Sequence, residues 1–490
     1  MNPLPLPSHS IYADGAWRAA HSTRHVDVVN PATERVIGQV ADADASDVDT
    51  AVRAARAALG RPAWRGLTPD DRAGLLLALA AQLEARGEEM ARTITEENGS
   101  PVSLTADAAA VTAMMLRHTA SLAPLLDVED LRPFPAGHAS TVVRRVPVGV
   151  AALITPWNFP LHLLVAKLAP ALLAGCTVVV KPAPETPYHA AVLASAVEAA
   201  GLPAGVVNIV TGGAETGRAL VEHPGVDKVA FTGSTGAGRA IARTCGELLR
   251  PVTLELGGKS AAVVLPDADL GVLAARVLQT CLRNTGQTCY NATRVLAPRA
   301  RYAEVVDIVT DAVRSAPLGD PTDPATVFGP VVSARQRAQV EEYLRVGAAE
   351  GARATTGGGR PAGFPVGYYV QPTVFADVDP AMRIAQEEIF GPVLAVLPYE
   401  DEEDALALAN DSRYGLGGAV FGADEGHALE FATRMETGSV GVNFFGTNHA
   451  APFGGWKDSG LGAEFGPEGL SAYLKHQSVH RLEENKGSHV

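Results

Sequence analysis

From about residue 150 onward, short β-branched runs alternate with helical stretches, and this alternation constrains the fold more than any other feature. Cys176-Thr177-Val178-Val179-Val180 is followed by a helical pattern over 188–200 and then by Val206 to Val210. A helix over 215–222 and the run Val226 to Phe231 complete the series. Strand and helix alternating at this scale predict parallel strands joined by crossover helices. A second series starts after Glu255, with Ala261-Ala262-Val263-Val264-Leu265, a helix over 269–284 and a strand from Ala292 to Ala297. Helices over 300–314 and 333–350 and a strand near Val393 to Leu397 continue it. Upstream, 45–60 and 70–98 carry the apolar spacing of amphipathic helices. Ser140 to Ile154 alternates and then becomes continuously apolar, which favours strands.

A chain of 490 residues exceeds what one ordinary hydrophobic core supports, so two α/β domains with a boundary near 250 are expected. Three adjacent glycines at 357–359 predict a turn. The segment Ser471 to Arg481 either returns to a hairpin near 125–147 or pairs with a neighbouring subunit. A formal charge of −14 with no large Lys/Arg block argues against nucleic acid or an anionic membrane as partner. Cys176, Cys245, Cys281 and Cys289 lack metal-ligand spacing, and four cysteines are too few to be a disulfide framework. No metal is expected. The N-terminus lacks a secretory pattern, and no apolar run reaches the roughly 18 residues a membrane span needs. A reducing cytoplasm is the expected location.

Lys181 closes the strand Val178-Val179-Val180 and projects beyond the carboxyl ends of the parallel strands, where cofactors bind in such folds. Its alternative is an ordinary solvent-facing lysine. The run ending at Thr232 passes into Gly233-Ser234-Thr235-Gly236-Ala237-Gly238 immediately before a helix. Small residues there admit a ligand to the backbone, and free helix N-terminal amides favour a dinucleotide pyrophosphate. The order is not that of the usual dinucleotide fingerprint, so the glycines alone are weak evidence.

Cys289 sits in Gly286-Gln287-Thr288-Cys289, 34 residues after Glu255 in Leu254-Glu255-Leu256-Gly257-Gly258-Lys259. A cysteine nucleophile needs a lowered pKa or a nearby base, and Glu255 is a candidate base. A buried inert thiol, and a carboxylate that caps a helix or satisfies a backbone amide, are the simpler readings of each alone. Asn158, in Thr155-Pro156-Trp157-Asn158-Phe159-Pro160, offers an amide to an oxyanion, or else makes a turn.

Taken in order, Pro156-Trp157-Asn158-Phe159-Pro160, Lys181-Pro182, Phe231-Thr232-Gly233-Ser234-Thr235-Gly236, Glu255-Leu256-Gly257-Gly258-Lys259, Gly286-Gln287-Thr288-Cys289 and Glu388-Ile389-Phe390-Gly391-Pro392 resemble the aldehyde dehydrogenase superfamily over nearly the whole chain. The similarity is to its soluble, hydrolytic, NAD(P)-dependent members. It implies an α/β fold with a Rossmann-type cofactor domain from 1–124 and 148–252 and a catalytic α/β domain over 253–440. It further implies an oligomerisation element from 125–147 and 470–490, a return segment at the tunnel mouth over 441–469, and a homodimer or homotetramer. The implied chemistry is attack of Cys289 on an aldehyde, with Asn158 and the Cys289 amide stabilising the thiohemiacetal oxygen. Hydride transfer to the nicotinamide then gives a thioester, which water activated by Glu255 hydrolyses. Lys167 and Glu464 match a proton-relay path behind that carboxylate, with an internal salt bridge as the alternative.

By the same resemblance Lys181 holds the adenosine ribose, Ser234 the pyrophosphate and Glu388 the nicotinamide ribose. Phe390 forms an aromatic wall, and Thr155, Pro156, Trp157, Gly213, Phe231, Gly233 and Leu256 complete the cofactor site. Many NAD-preferring members place a carboxylate three residues after the ribose lysine, where this chain has Pro184 followed by Glu185. NAD is therefore expected as the preferred cofactor with NADP admitted. Phe159, Tyr290, Phe444, Phe445 and Phe453 match positions around the aldehyde tunnel or its mouth and favour an apolar aliphatic, aromatic or terpenoid aldehyde, with a generic core aromatic as the alternative for any one of them. His162 and His449 lie at its mouth, where a structural hydrogen bond is the simpler reading. The alternatives are a CoA-acylating semialdehyde dehydrogenase, which has no need of Glu255 as base, and a noncatalytic binding or structural protein on the same fold.

Overall fold

The computed structural model describes residues 9–126, 130–135 and 137–482. Five parallel strands form the centre of its largest sheet, in the spatial order Val207–Ile209, Thr177–Lys181, Val150–Ile154, Lys228–Thr232 and Val252–Glu255. The hairpin of Ser10–Ala13 and Ala16–Ala19 covers one edge antiparallel, and Gly460–Leu461 covers the other. Each residue of Val150–Ile154, Thr177–Lys181 and Lys228–Thr232 is buried. Continuous apolar strands of this kind require helices on both faces, and two apolar clusters flank the sheet accordingly. The chain proceeds outward from Val150–Ile154 to Val207–Ile209, then crosses back to start Lys228–Thr232 on the opposite side. That reversal opens a crevice at the carboxyl ends of the two central strands.

A second sheet runs Arg353–Thr356, Thr373–Ala376, Val393–Tyr399, Arg294–Pro298, Ala261–Val264, Gly417–Phe421 and Ser439–Val442, all parallel except the first. The first sheet thus extends to Glu255, a few residues beyond the division expected near 250. Leu474–Leu482 pairs along its length with Ala139–Pro147, which also pairs with Asp130–Pro133. Of the two expected uses of the late segment, the return to the earlier hairpin is present within the chain. Residues 1–8, 127–129, 136 and 483–490, which include parts of the expected oligomerisation element, lie outside the described residues.

Two helix expectations change. The stretch 70–98 is two helices, Pro69–Glu84 and Gly87–Asn98, because Arg86 leaves helical geometry at φ −109° and ψ 19°. The helix expected over 269–284 stops at Cys281, because Asn284, Thr285 and Gly286 are all left-handed, with φ of 55°, 56° and 76°. Among the described residues no helix is long and apolar enough to cross a membrane.

Candidate active site

One cavity of about 620 Å³ runs from the carboxyl ends of the first sheet to Cys289. Thr155, Pro156, Trp157, Lys181, Gly213, Phe231, Gly233, Ser234, Leu256, Glu388 and Phe390 all line it. Ser234 caps the helix Thr235–Glu247 by accepting from the Ala237 amide at 3.4 Å, so the following helix begins at the cavity wall. Gly233 is required by the close approach of the Phe231 ring, since a Cβ there would stand 2.5 Å from Cζ. Lys181 is buried and donates to the Pro182 carbonyl at 3.0 Å, and burial pushes its ammonium down to about 8. It is not the solvent-facing lysine of the simpler reading. Pro184 and Glu185 line the same end.

Glu388 reaches the cavity from the second sheet and accepts the Gly258 amide at 3.0 Å. Burial raises its carboxyl to about 7, against the lowering effect of that amide and of Lys259 and Arg413. A Cβ on Gly258 would stand 2.3 Å from the Cys289 carbonyl oxygen, so glycine is needed there, whereas one on Gly257 would stand 2.3 Å from Glu388 Oε2 and displace the carboxylate. Phe390 is left-handed at φ 57° and meets Trp157 edge to face, with ring centroids 5.3 Å apart. Gln336, on the helix Ala334–Ala349, holds this turn by donating to the Phe390 carbonyl at 2.8 Å and that of Ile389 at 3.2 Å. Sequence reading missed Gln336, which carries no local motif and acts only through a chain reversal 53 and 54 residues away.

The left-handed run before Cys289 packs its Gly286 against the 391–392 segment, where a Cβ would stand 2.0 Å from the Gly391 carbonyl oxygen. Left-handed geometry is costly for the β-branched Thr285, and its hydroxyl fixes it by accepting the Gly329 amide at 3.1 Å. Asn158 is held to this loop from both sides. Its amide donates to the Gln287 carbonyl at 2.9 Å, and its own carbonyl accepts from Asn284 at 2.8 Å. The Gln287 contact engages one hydrogen of the side-chain amide. Cys289 is half-buried at the inner end of the cavity, and Cys176, Cys245 and Cys281 are fully buried. Burial, and then the charges of Glu388 and Glu255, push the Cys289 thiol up.

Glu255 ends its strand with both carboxylate oxygens buried and without a hydrogen-bond partner among the described residues. It therefore neither caps a helix nor satisfies an amide. Burial and then Glu464 push its carboxyl well up, against the pull of Lys167. Behind it, Lys167 Nζ donates to Glu464 Oε1 and to the Thr232 hydroxyl, each at 2.5 Å, with both charged groups buried. The internal salt bridge is thus present, and it stands beside the unpaired carboxylate.

The five aromatic residues expected at the tunnel do not line this cavity. Tyr290 stacks on Phe445 at 4.8 Å and meets Phe453 at 6.2 Å, and Phe453 in turn meets Phe465 at 6.2 Å. The Arg283 guanidinium lies 5.5 Å over the Phe159 ring and donates to the Tyr290 hydroxyl at 3.2 Å. Phe444 is apart from this wall, with its side chain 55 % exposed. Arg283 and Phe465 were not anticipated, because neither occupies a chemically distinctive motif position. Among the described residues no group of three or more His, Cys, Asp or Glu is arranged to hold a metal ion.

Comparison with known proteins gives the same assignment. The profile of the Aldehyde dehydrogenase family matches residues 17–479. A geranial dehydrogenase of Castellaniella defragrans is 50 % identical over 480 residues, covering 98 % of this chain and 100 % of the relative. A 3-succinoylsemialdehyde-pyridine dehydrogenase of a Pseudomonas species is 41 % identical, covering 96 % of this chain and 97 % of its own. The crystal structure of a Mycobacterium tuberculosis aldehyde dehydrogenase complexed with NAD+ superposes with a TM-score of 0.94 at 44 % identity, covering 96 % and 98 % of the two chains. A Pseudomonas syringae aldehyde dehydrogenase C variant with NAD+ and octanal superposes with a TM-score of 0.93 at 40 % identity, covering 97 % of each. With its fold, its cavity and its thiol loop all in agreement, the chain belongs to the aldehyde dehydrogenase family and is an NAD-dependent aldehyde dehydrogenase.

Proposed function

We propose that this enzyme oxidises an apolar terpenoid or aliphatic aldehyde to its carboxylic acid, with Cys289 as the transient acyl carrier. The observation that carries this reading is the cavity linking Lys181 and Ser234 to Cys289, with Tyr290, the next residue, packed against the Phe445 and Phe453 rings. The 50 % identity to a geranial dehydrogenase and the fold shared with an octanal-bound relative support the substrate class.

The cavity fits a dinucleotide. Ser234 and the amides of its helix would hold the pyrophosphate, Lys181 the adenosine ribose and Glu388 the nicotinamide ribose. NAD bound there supplies a hydride acceptor. Cys289 adds to the aldehyde carbon as thiolate, and the carbonyl oxygen gains hydrogen bonds from the free Asn158 hydrogen and the Cys289 amide. The resulting thiohemiacetal becomes a thioester on oxidation. Glu255, with no partner to compete for its oxygens, takes a proton from water as the water attacks the thioester, and Lys167 with Glu464 conducts that proton away. Residues 1–124 and 148–252 serve as the cofactor domain and 253–440 as the catalytic domain. The element 125–147 and 470–490, whose described sheet comprises Asp130–Pro133, Ala139–Pro147 and Leu474–Leu482, is the surface through which a homodimer or homotetramer assembles, and the enzyme works in the cytoplasm.

Incubation of the purified enzyme with NAD and a panel of terpenoid, aliphatic and aromatic aldehydes, with and without CoA, tests the reading. Free acid as the product in both arms is expected. Exclusive acyl-CoA formation, or no turnover of any apolar aldehyde, overturns it.

A further inference from the structure

Beyond Phe465 the aromatic wall ends in three histidines from three separate segments. His118 lies on the helix Ala108–Ser121, His162 in the first turn of Pro160–Ala174, and His449 in the loop before Phe453. The His162 and His449 rings lie 5.2 Å apart, and the Phe465 ring meets them at 6.0 Å and 4.9 Å. The Nε2 atoms of His118 and His449 are buried and have no hydrogen-bond partner among the described residues. The structural hydrogen bond expected for His449 is therefore not made at Nε2.

Leaving such polar atoms unpaired in an apolar enclosure is costly unless a ligand satisfies them. Burial disfavours the charged form of His162, pushing it down to about 3, with further lowering from His449, Arg283 and Lys167. Burial also lowers His449, with His118 adding to the effect. A neutral imidazole offers one donor and one acceptor, which suits a hydroxyl or carbonyl oxygen and gives no charge to attract a carboxylate. The wall leads to these rings from Tyr290, the residue after the thiol, by way of Phe453 and Phe465.

Resting on the reading of Cys289 and an apolar aldehyde, we propose that this imidazole cluster is a distal substrate subsite that hydrogen-bonds an uncharged oxygen function carried at the far end of the aldehyde. The enzyme then selects oxygenated over plain hydrocarbon aldehydes of the same skeleton.

The test compares 3,7-dimethyloctanal with 7-hydroxy-3,7-dimethyloctanal, which differ by one hydroxyl, in wild type and in His162→Leu and His449→Phe. One added hydrogen bond to a neutral group should give the hydroxylated aldehyde about a 3- to 10-fold lower KM in wild type, with kcat similar. Each variant should lose that preference, the KM for the hydroxylated aldehyde rising to match that for the plain one. A wild type that favours the plain aldehyde, or a hydroxyl preference that survives both substitutions, overturns the subsite. Failure of both aldehydes to turn over at all would instead strike the underlying reading of an apolar-aldehyde oxidase, and the subsite with it.

Discussion

Gly257→Ala isolates the contribution of the Glu388 carboxylate to cofactor binding. The glycine is not left-handed, so alanine introduces no backbone strain. Its Cβ would stand 2.3 Å from Glu388 Oε2 and 2.8 Å from the carboxyl carbon, and the carboxylate must move. Because that group is the far end of a flexible side chain, the fold should lose no more than about 1 kcal/mol. The displacement breaks the 3.0 Å bond from the Gly258 amide and withdraws the carboxylate from the ribose it is proposed to hold. A hydrogen bond to a charged group contributes about 1.5–3 kcal/mol, so NAD affinity should fall about 10- to 150-fold. Titration of NAD against tryptophan fluorescence, with Trp157 in the cavity wall, measures this alongside a thermal melt. The carboxyl is raised to about 7 by burial and accepts at both oxygens, with the added strength of a full charge, only when deprotonated. Wild-type affinity for NAD should therefore strengthen as pH rises through neutrality, and Glu388→Gln should abolish that dependence. Unchanged NAD affinity in a normally melting Gly257→Ala protein would refute the role of Glu388.

Three further outcomes follow from the same geometry. Burial, Glu388 and Glu255 together hold the Cys289 thiol up, so iodoacetamide should modify the cofactor-free enzyme faster as pH rises, and Glu388→Gln should accelerate it at fixed pH; a slower or equal rate contradicts the electrostatic account. Lys167→Met strands Glu464 in the interior and should cost about 3–5 kcal/mol, much of it regained in the double variant with Glu464→Gln, whereas a single variant that melts like wild type would show the pair is not a buried charge couple. Pro184→Glu places a carboxylate where a 2'-phosphate would lie and should weaken NADP by about tenfold or more while sparing NAD; equal losses for both cofactors would remove Pro184 as the discriminating position.

The parts of this molecule legible in its sequence are those set by local pattern. Continuous apolar runs marked the strands of both sheets, and the small residues around Gly233 and Gly257 marked where backbone and side chains approach closely. All eleven residues expected at the cofactor face one cavity. What escaped depends on distant neighbours. The helix ending at Cys281 stops as Leu282 leaves helical geometry ahead of the left-handed Asn284, Thr285 and Gly286, a run tied by the Thr285 hydroxyl to the Gly329 amide, 44 residues on. Gln336 matters only because the Phe390 turn comes to rest against its helix. Arg283 looked like a residue on a helix end and is a lid over Phe159. Phe444, expected around the tunnel or its mouth, is 55 % exposed and follows the left-handed Asn443 at φ 60°.

The central claim is that Cys289 carries the acyl group and Glu255 releases it. Mixing the Glu255→Gln enzyme with NAD and geranial, quenching in acid, and measuring intact and peptide masses tests it most directly. The prediction is one acyl group per chain, located on Cys289, accompanied by about one equivalent of NADH and little further turnover. Sustained turnover with an unmodified Cys289, or an acyl group on any other residue, would contradict it.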